Sequence, residues 1–137
     1  MIREWLRPLA FLAVGAFLGV TGTEALHAQQ EGIKRTPLQK ADLTDIPGRD
    51  AIMGIAEIAP GAAAGRHTHF GFELGYVLEG TATLEVDGQA PITMKAGDSY
   101  QIPAGKAHDA RNTGSGPAKV LAVYVVEKGK PLATPAQ

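Results

Sequence analysis

Two histidines one residue apart, His67 and His69, and a glutamate four residues later, Glu73, stand together in the stretch GRHTHFGFELGYVLEG. A third histidine, His108, lies far along the chain in IPAGKAHDARN, and the only other one is His27 near the N-terminus. Side chains of an extended strand alternate between faces, so His67 and His69 point one way while Arg66 and Thr68 point the other. Two imidazoles therefore share one interior. Glu73, opening the next strand after the bend FGF, brings a carboxylate within reach of them. Neutral imidazole nitrogen combined with carboxylate oxygen suits one divalent transition-metal ion: Mn, Fe, Co, Ni, Cu or Zn. Four such ligands on an octahedral ion leave two positions for water, oxygen or a substrate, and open positions permit catalysis.

Ligands of this kind need rigid supports, and the surrounding sequence supplies strands. Short apolar or alternating runs follow one another: AIMGIAEIA from Ala51, ELGYVLEG from Glu73, TATLEVDG from Thr81, APITM from Ala90, DSYQIP from Asp98 and AKVLAVYVV from Ala118. Turn signals PG, EG, DG, AG and TGSG separate them, and no stretch after Val20 keeps a helical period. The pattern predicts an all-β barrel or sandwich. VLEGTATLEV and EVDGQAPITM each read as a hairpin around a glycine-containing turn. In TATLEV, Thr81, Thr83 and Glu85 form a wet face and Ala82, Leu84 and Val86 a dry one. AKVLAVYVV is apolar on both faces, which calls for cover on both sides. Either the N-terminal arm packs outside it or a second subunit does, and a homodimer is the expectation.

The full length of 137 residues suits one domain, and 45% hydrophobic content is enough for a core. Residues 1–28 read as a cleavable signal segment. Arg3 and Arg7 precede the apolar run LAFLAVGAFLGV, and small residues offer a cut at Ala28 or, as second choice, Ala25. The expected location is periplasmic or secreted, with an uncleaved membrane tether as the alternative and no stable membrane insertion after cleavage. Residues 29–50, broken by Pro37, Pro47 and Gly48, form a linker and extended arm; 51–128 form the barrel and 129–137 a C-terminal tail. There is no cysteine, so stability rests on packing and on a metal rather than on disulfides. Thirteen basic against fourteen acidic residues, with no basic run, argue against nucleic acid as a partner.

The chain resembles a cupin. The first cupin motif, G(X)5HXH(X)3-4E(X)6G, is met by Gly61, His67, His69, Glu73 and Gly80. The second, G(X)5PXG(X)2H(X)3N, is met by Gly97, Pro103, Gly105, His108 and Asn112. The resemblance covers roughly Ile52 to Glu127 and implies a small double-stranded β-helix, or jelly-roll, barrel without inserted elements. It implies His67, His69, Glu73 and His108 as ligands of one divalent ion. It also implies an enzyme similar to the quercetinase-like dioxygenases, or an isomerase or decarboxylase, acting on a small chelating organic substrate. Glu73 would then be both ligand and base, since a carboxylate can leave the metal carrying a proton. Phe70, Phe72, Met53 and Ile102 are candidates for the substrate pocket, against the plainer reading that they are core. Arg66 and Arg111 are expected to be solvated and Asn112 to be structural. The alternatives are a non-catalytic module that binds a metal or small ligand, and a barrel serving assembly with another protein.

Overall fold

The computed structural model describes residues 31–137, which contain ten strands and no helix. The signal segment and its membrane-tether alternative lie outside the described residues. The strands are β1 (Ile33–Asp42), β2 (Arg49–Ile58), β3 (His67–Thr68), β4 (Gly71–Glu79), β5 (Thr81–Val86), β6 (Ile92–Lys95), β7 (Ser99–Ile102), β8 (His108–Asn112), β9 (Ala118–Glu127) and β10 (Thr134–Pro135). They form two five-stranded antiparallel sheets, a long one ordered β1-β2-β9-β4-β7 and a short one ordered β10-β3-β8-β5-β6. The all-β architecture agrees with the reading of the sequence.

Period-two patterning decides which residues go inside. Along β9, Ala118, Val120, Ala122, Tyr124 and Val126 are buried while the residues between them are half-buried, and β5 buries Ala82, Leu84 and Val86. The centre of the core is a cluster of Val77, Leu84, Val86, Met94, Ile102 and Val120 drawn from both sheets. The sheets thus close on each other over apolar side chains, with β9 in the middle of the long sheet.

One row of the long sheet is short of side chains. Pro37, Gly54, Ala122 and Gly75 lie opposite one another in register across β1, β2, β9 and β4. A Cβ at Gly75 would collide with the Tyr100 ring, so the glycine makes room for that ring to lie across the sheet. In the next interior row Ile52, Tyr124, Glu73 and Ile102 are aligned. The missing side chains leave space directly beside the row that carries Glu73.

The reading of EVDGQAPITM as a hairpin holds: β5 pairs with β6, with Ala82 opposite Met94 and Leu84 opposite Ile92. VLEGTATLEV is not a hairpin. At Gly80 the chain leaves the long sheet and enters the short one, because β4 pairs with β7 and β9 while β5 pairs with β6 and β8. Gly80 has φ of 78°, and a Cβ there would strike the Pro117 carbonyl, so only glycine turns this corner. Residues 33–42 join the edge of the long sheet through β2 rather than lying across its outer face.

Candidate metal centre

The short sheet and the loop after β3 hold the three imidazoles. His67 on β3 pairs directly with His108 on β8. His69 follows one turn of alternation later, its carbonyl accepting a hydrogen bond from the Gly105 N–H at 3.0 Å. Glu73 arrives from β4 in the long sheet. His69, Glu73 and His108 are all buried, and one donor atom from each of the four residues lies within 4.8 Å of every other. The ring centroids of the three histidines are 4.3 to 5.1 Å apart.

Each imidazole is oriented through its far nitrogen. His67 Nδ1 lies 2.5 Å from the Gly65 carbonyl, His69 Nδ1 2.5 Å from the Leu132 carbonyl, and His108 Nδ1 2.9 Å from the Lys106 carbonyl. A carbonyl can only accept, so each Nδ1 carries the proton and each Nε2 presents a lone pair. His69 Nε2 and His108 Nε2 stand 2.9 and 3.2 Å from Glu73 Oε2. Although these separations are short, neither His69 Nε2 nor Glu73 Oε2 makes a properly directed hydrogen bond, and both are buried. Electron pairs facing one another in a dry interior are repulsive unless a cation lies between them. Ligands about 2.1 Å from an octahedral centre are separated by about 3 Å when adjacent, which is the spacing found around Glu73 Oε2. The four residues fit a divalent ion, and the fixed Nδ1–H tautomers are the support that metal-bound histidines require.

For His67 and Glu73 the local electrostatics agree. Burial pushes His67 down to about 4, against a weaker pull from the Gly65 carbonyl, so the ring is neutral at pH 7. Burial alone would raise the Glu73 carboxyl, but the His108 and His69 imidazoles and the Tyr100 hydroxyl outweigh it and hold the group ionised. For His108, burial lowers the ring and the Glu73 carboxylate with the Lys106 carbonyl more than offsets it, a net rise. Tyr100 O–H donates to Glu73 Oε1 at 2.7 Å, leaving Oε2 for the cluster. Burial and the Glu73 charge raise the Tyr100 phenol well above its ordinary value, so it remains a donor.

A cavity of about 490 Å³ opens beside His67 and His69. Its walls come from β1 and β2, from Ala64 and Gly65, from Tyr124, and from Leu132, Ala133 and Pro135 of the C-terminal segment. The residues proposed from sequence for a pocket are placed elsewhere. Ile102 is packed in the central core. Phe70 is exposed, with Lys130 Nζ 5.3 Å from its ring centre. Met53 and Phe72 alternate with inward-facing Ile52 and Glu73, which turns them to the outer face of the long sheet. Arg66 is exposed and bonded to Asp87 at 2.5 and 2.6 Å, and Arg111 is exposed and donates to the Gly61 carbonyl. Asn112 is buried and structural, donating to the Ile58 and Gly116 carbonyls at 2.8 Å and accepting from Gly114 N–H.

Sequence reasoning passed over Tyr100, Tyr124 and the C-terminal segment. The Tyr124 ring lies 4.9 Å from that of His69. The segment 129–137 contains β10, which pairs Thr134 with Thr68 and Pro135 with His67, and its Leu132 carbonyl orients His69. The apolar Leu132 within a polar stretch was the one available signal.

Comparison with known proteins agrees with this geometry. A family model for the cupin domain matches residues 54–124, just over half of the chain. Over 79 residues the chain is 35% identical to the HTH-type transcriptional regulator PuuR of Escherichia coli (strain K12), a match covering 57% of this chain and 42% of that protein. Over 81 residues it is 33% identical to the dimethylsulfoniopropionate lyase DddW of Ruegeria pomeroyi, covering 59% and 51% respectively. The chain thus spans about half the length of these curated relatives, or less. A solved structure of an uncharacterized conserved protein with a double-stranded beta-helix domain from Klebsiella pneumoniae aligns with a TM-score of 0.63 at 22% identity, over 76% of this chain and 86% of that one. That likeness concerns the fold.

Proposed function

Because the chain belongs to the cupin-domain family, we propose that it is an exported, metal-dependent enzyme acting on a small chelating organic substrate. One observation carries the reading: four lone-pair donors converge in a dry interior beside a cavity large enough for a small molecule. His67, His69, Glu73 and His108 hold the ion. When bound, a divalent ion supplies Lewis-acid or redox chemistry at its open positions. The chain's own residues do the rest. The main-chain carbonyls of Gly65, Leu132 and Lys106 fix the imidazoles, Tyr100 fixes one oxygen of Glu73, and Glu73 Oε2 is the base that takes a proton from the substrate. The apolar walls exclude water and strengthen every charge interaction within them. The lyase among the relatives supports a catalytic reading.

Protein purified from its native compartment is expected to carry close to one equivalent of a divalent metal. The metal-loaded protein is expected to consume a member of a panel of catechols, flavonols, thiols and small oxo acids, with O2 uptake if the reaction is an oxygenation. Metal at background level sinks the proposal. Full metal with no turnover favours the second reading, a ligand-binding module, for which the 35% identity to a transcriptional regulator speaks.

The same family membership goes with a second proposal, that the barrel works as a homodimer through the outer face of the long sheet. Leu121, Val123 and Val125 on β9, Phe72, Leu74 and Tyr76 on β4, and Met53 on β2 form one apolar surface, with Leu74 and Tyr76 about half exposed. Four strands of nine or ten residues about 4.8 Å apart, with the four-residue β7 at the edge, cover about 700 Å², close to what one partner contributes to a standard interface. Across one end of this face Lys34, Glu57, Lys119 and Glu79 lie in a row of alternating charge. Turned over about an axis along the strands, that row meets its own complement, so the occupant that fits is a second copy.

A further inference from the structure

The cavity beside the candidate metal centre carries an anchor for an organic anion. Arg35, on the same face of β1 as the buried Ile33, lines that cavity and is itself only part-exposed. Its register partner is Ala56, whose small side chain lets the guanidinium extend inward over β2. There Arg35 Nη2 donates to the Ala64 carbonyl at 3.2 Å. Among the described residues this is its one side-chain hydrogen bond, and it forms no ion pair. A guanidinium has five N–H donors, so most of its hydrogen-bonding capacity has no protein partner among the described residues.

Among the described residues, no aspartate or glutamate lines the cavity. The other arginine on its wall, Arg66, is already bound to Asp87 and to the carbonyl of Gln137. A half-buried guanidinium with no acid beside it leaves its charge available to an anion that enters the cavity. The position of Arg35 relative to the centre is set by adjacent peptide groups: Arg35 binds the Ala64 carbonyl and His67 the next one, Gly65. A molecule lying along the cavity would therefore span guanidinium and ligand cluster with one short chain.

We propose that Arg35 is the carboxylate-binding residue of this site, and that the cavity takes a small monocarboxylate with an apolar body, held by a bidentate guanidinium–carboxylate pair. The proposal rests on the functional reading above for what happens at the other end of the ligand, but not for the binding itself. Hexanoate and its uncharged analogue hexanamide are suitable probes, titrated calorimetrically into both metal-stripped and metal-loaded protein.

In both forms the wild type is expected to prefer hexanoate. Arg35→Gln is expected to weaken hexanoate about 10- to 100-fold, as loss of a charged hydrogen-bond partner does, while leaving hexanamide unchanged. Arg35→Lys, which keeps the charge but not the fork, is expected to fall between them. Unchanged metal content and far-UV circular dichroism in Arg35→Gln show that fold and centre are intact. Equal binding of the two probes by the metal-stripped wild type, no binding of either, or a hexanoate preference of the metal-stripped protein that survives Arg35→Gln overturns the proposal. An Arg35-dependent preference in the metal-stripped protein upholds it, even if native protein proves to hold no metal and the enzymatic reading fails.

Discussion

The two sheets of this barrel solve opposite problems. The short sheet follows the usual amphipathic rule: Ala82, Leu84 and Val86 face inward, and Thr83, Thr93, Glu85 and Arg111 face water. The long sheet is apolar on both faces, from buried Val120 and Val77 within to Leu74, Tyr76 and Leu121 outside. The division extends to the site. The short sheet and its adjoining loop provide three imidazoles, each oriented by a main-chain carbonyl, whereas the long sheet provides one carboxylate, oriented by a side-chain hydroxyl. One sheet therefore presents its imidazoles with backbone precision. The other supplies the carboxylate, one wall of the cavity and a surface that water does not suit.

The largest effect should come from emptying the short sheet of its ligands. His67→Ala combined with His108→Ala leaves two of the four ligands, and metal content by elemental analysis should fall from near one equivalent to background. A double variant that keeps its metal would place the ion elsewhere and dissolve the division drawn between the sheets.

Next in size is a contrast between outer faces. Leu74→Glu puts a charge in the middle of the proposed dimer contact, and an unpaired charge buried at an interface costs several kcal/mol, about 100-fold or more in dimer affinity. Thr83→Glu on the outer face of the short sheet should change nothing. Sedimentation velocity distinguishes them: wild type and Thr83→Glu are expected to be dimeric and Leu74→Glu monomeric. If all three sediment as monomers, the long sheet's outer face has another occupant.

His67 and His69 were legible as sharing a face because a strand alternates its side chains, while Glu73 and His108 were singled out by the spacing of the two motifs. The wet and dry faces of β5 were legible for the same local reason. What the sequence hid depends on pairings between distant segments. Tyr100 reaches Glu73 across 27 residues and Leu132 reaches His69 across 63, and no periodicity encodes either contact. Gly80 was misread because a positive-φ glycine between two strand-like runs serves a hairpin and a change of sheet equally well. Arg35 sits in a polar run where solvation is the default reading, and only the register against Ala56 turns it inward.

The C-terminal segment tests how far the short sheet depends on its edge. Truncation before Pro131 removes β10 and with it the Leu132 carbonyl that fixes His69 Nδ1–H. Loss of such an outer partner typically lowers metal affinity 10- to 100-fold. Competition with a chelator of known affinity should show this drop for the truncated protein. Affinity equal to that of the full chain would mean that His69 is positioned by β3 alone.

The smallest effect belongs to the long sheet's own orienting group. Tyr100→Phe keeps the ring that fills the space over Gly75, so packing is preserved and only the 2.7 Å bond to Glu73 Oε1 is lost. In the metal-free protein that leaves a buried carboxylate oxygen one donor short, a cost of about 1 to 3 kcal/mol. That cost in the metal-free state by itself favours metal binding, but the bond also fixes which oxygen of Glu73 faces the cluster, so the net fall in metal affinity should be only about tenfold, the lower edge of the range for outer-partner loss. The same chelator competition, run beside the truncated protein, ranks the two directly. A side-chain hydroxyl that mattered more than the main-chain carbonyl would reverse the comparison, making the long sheet rather than the short one the source of the centre's rigidity.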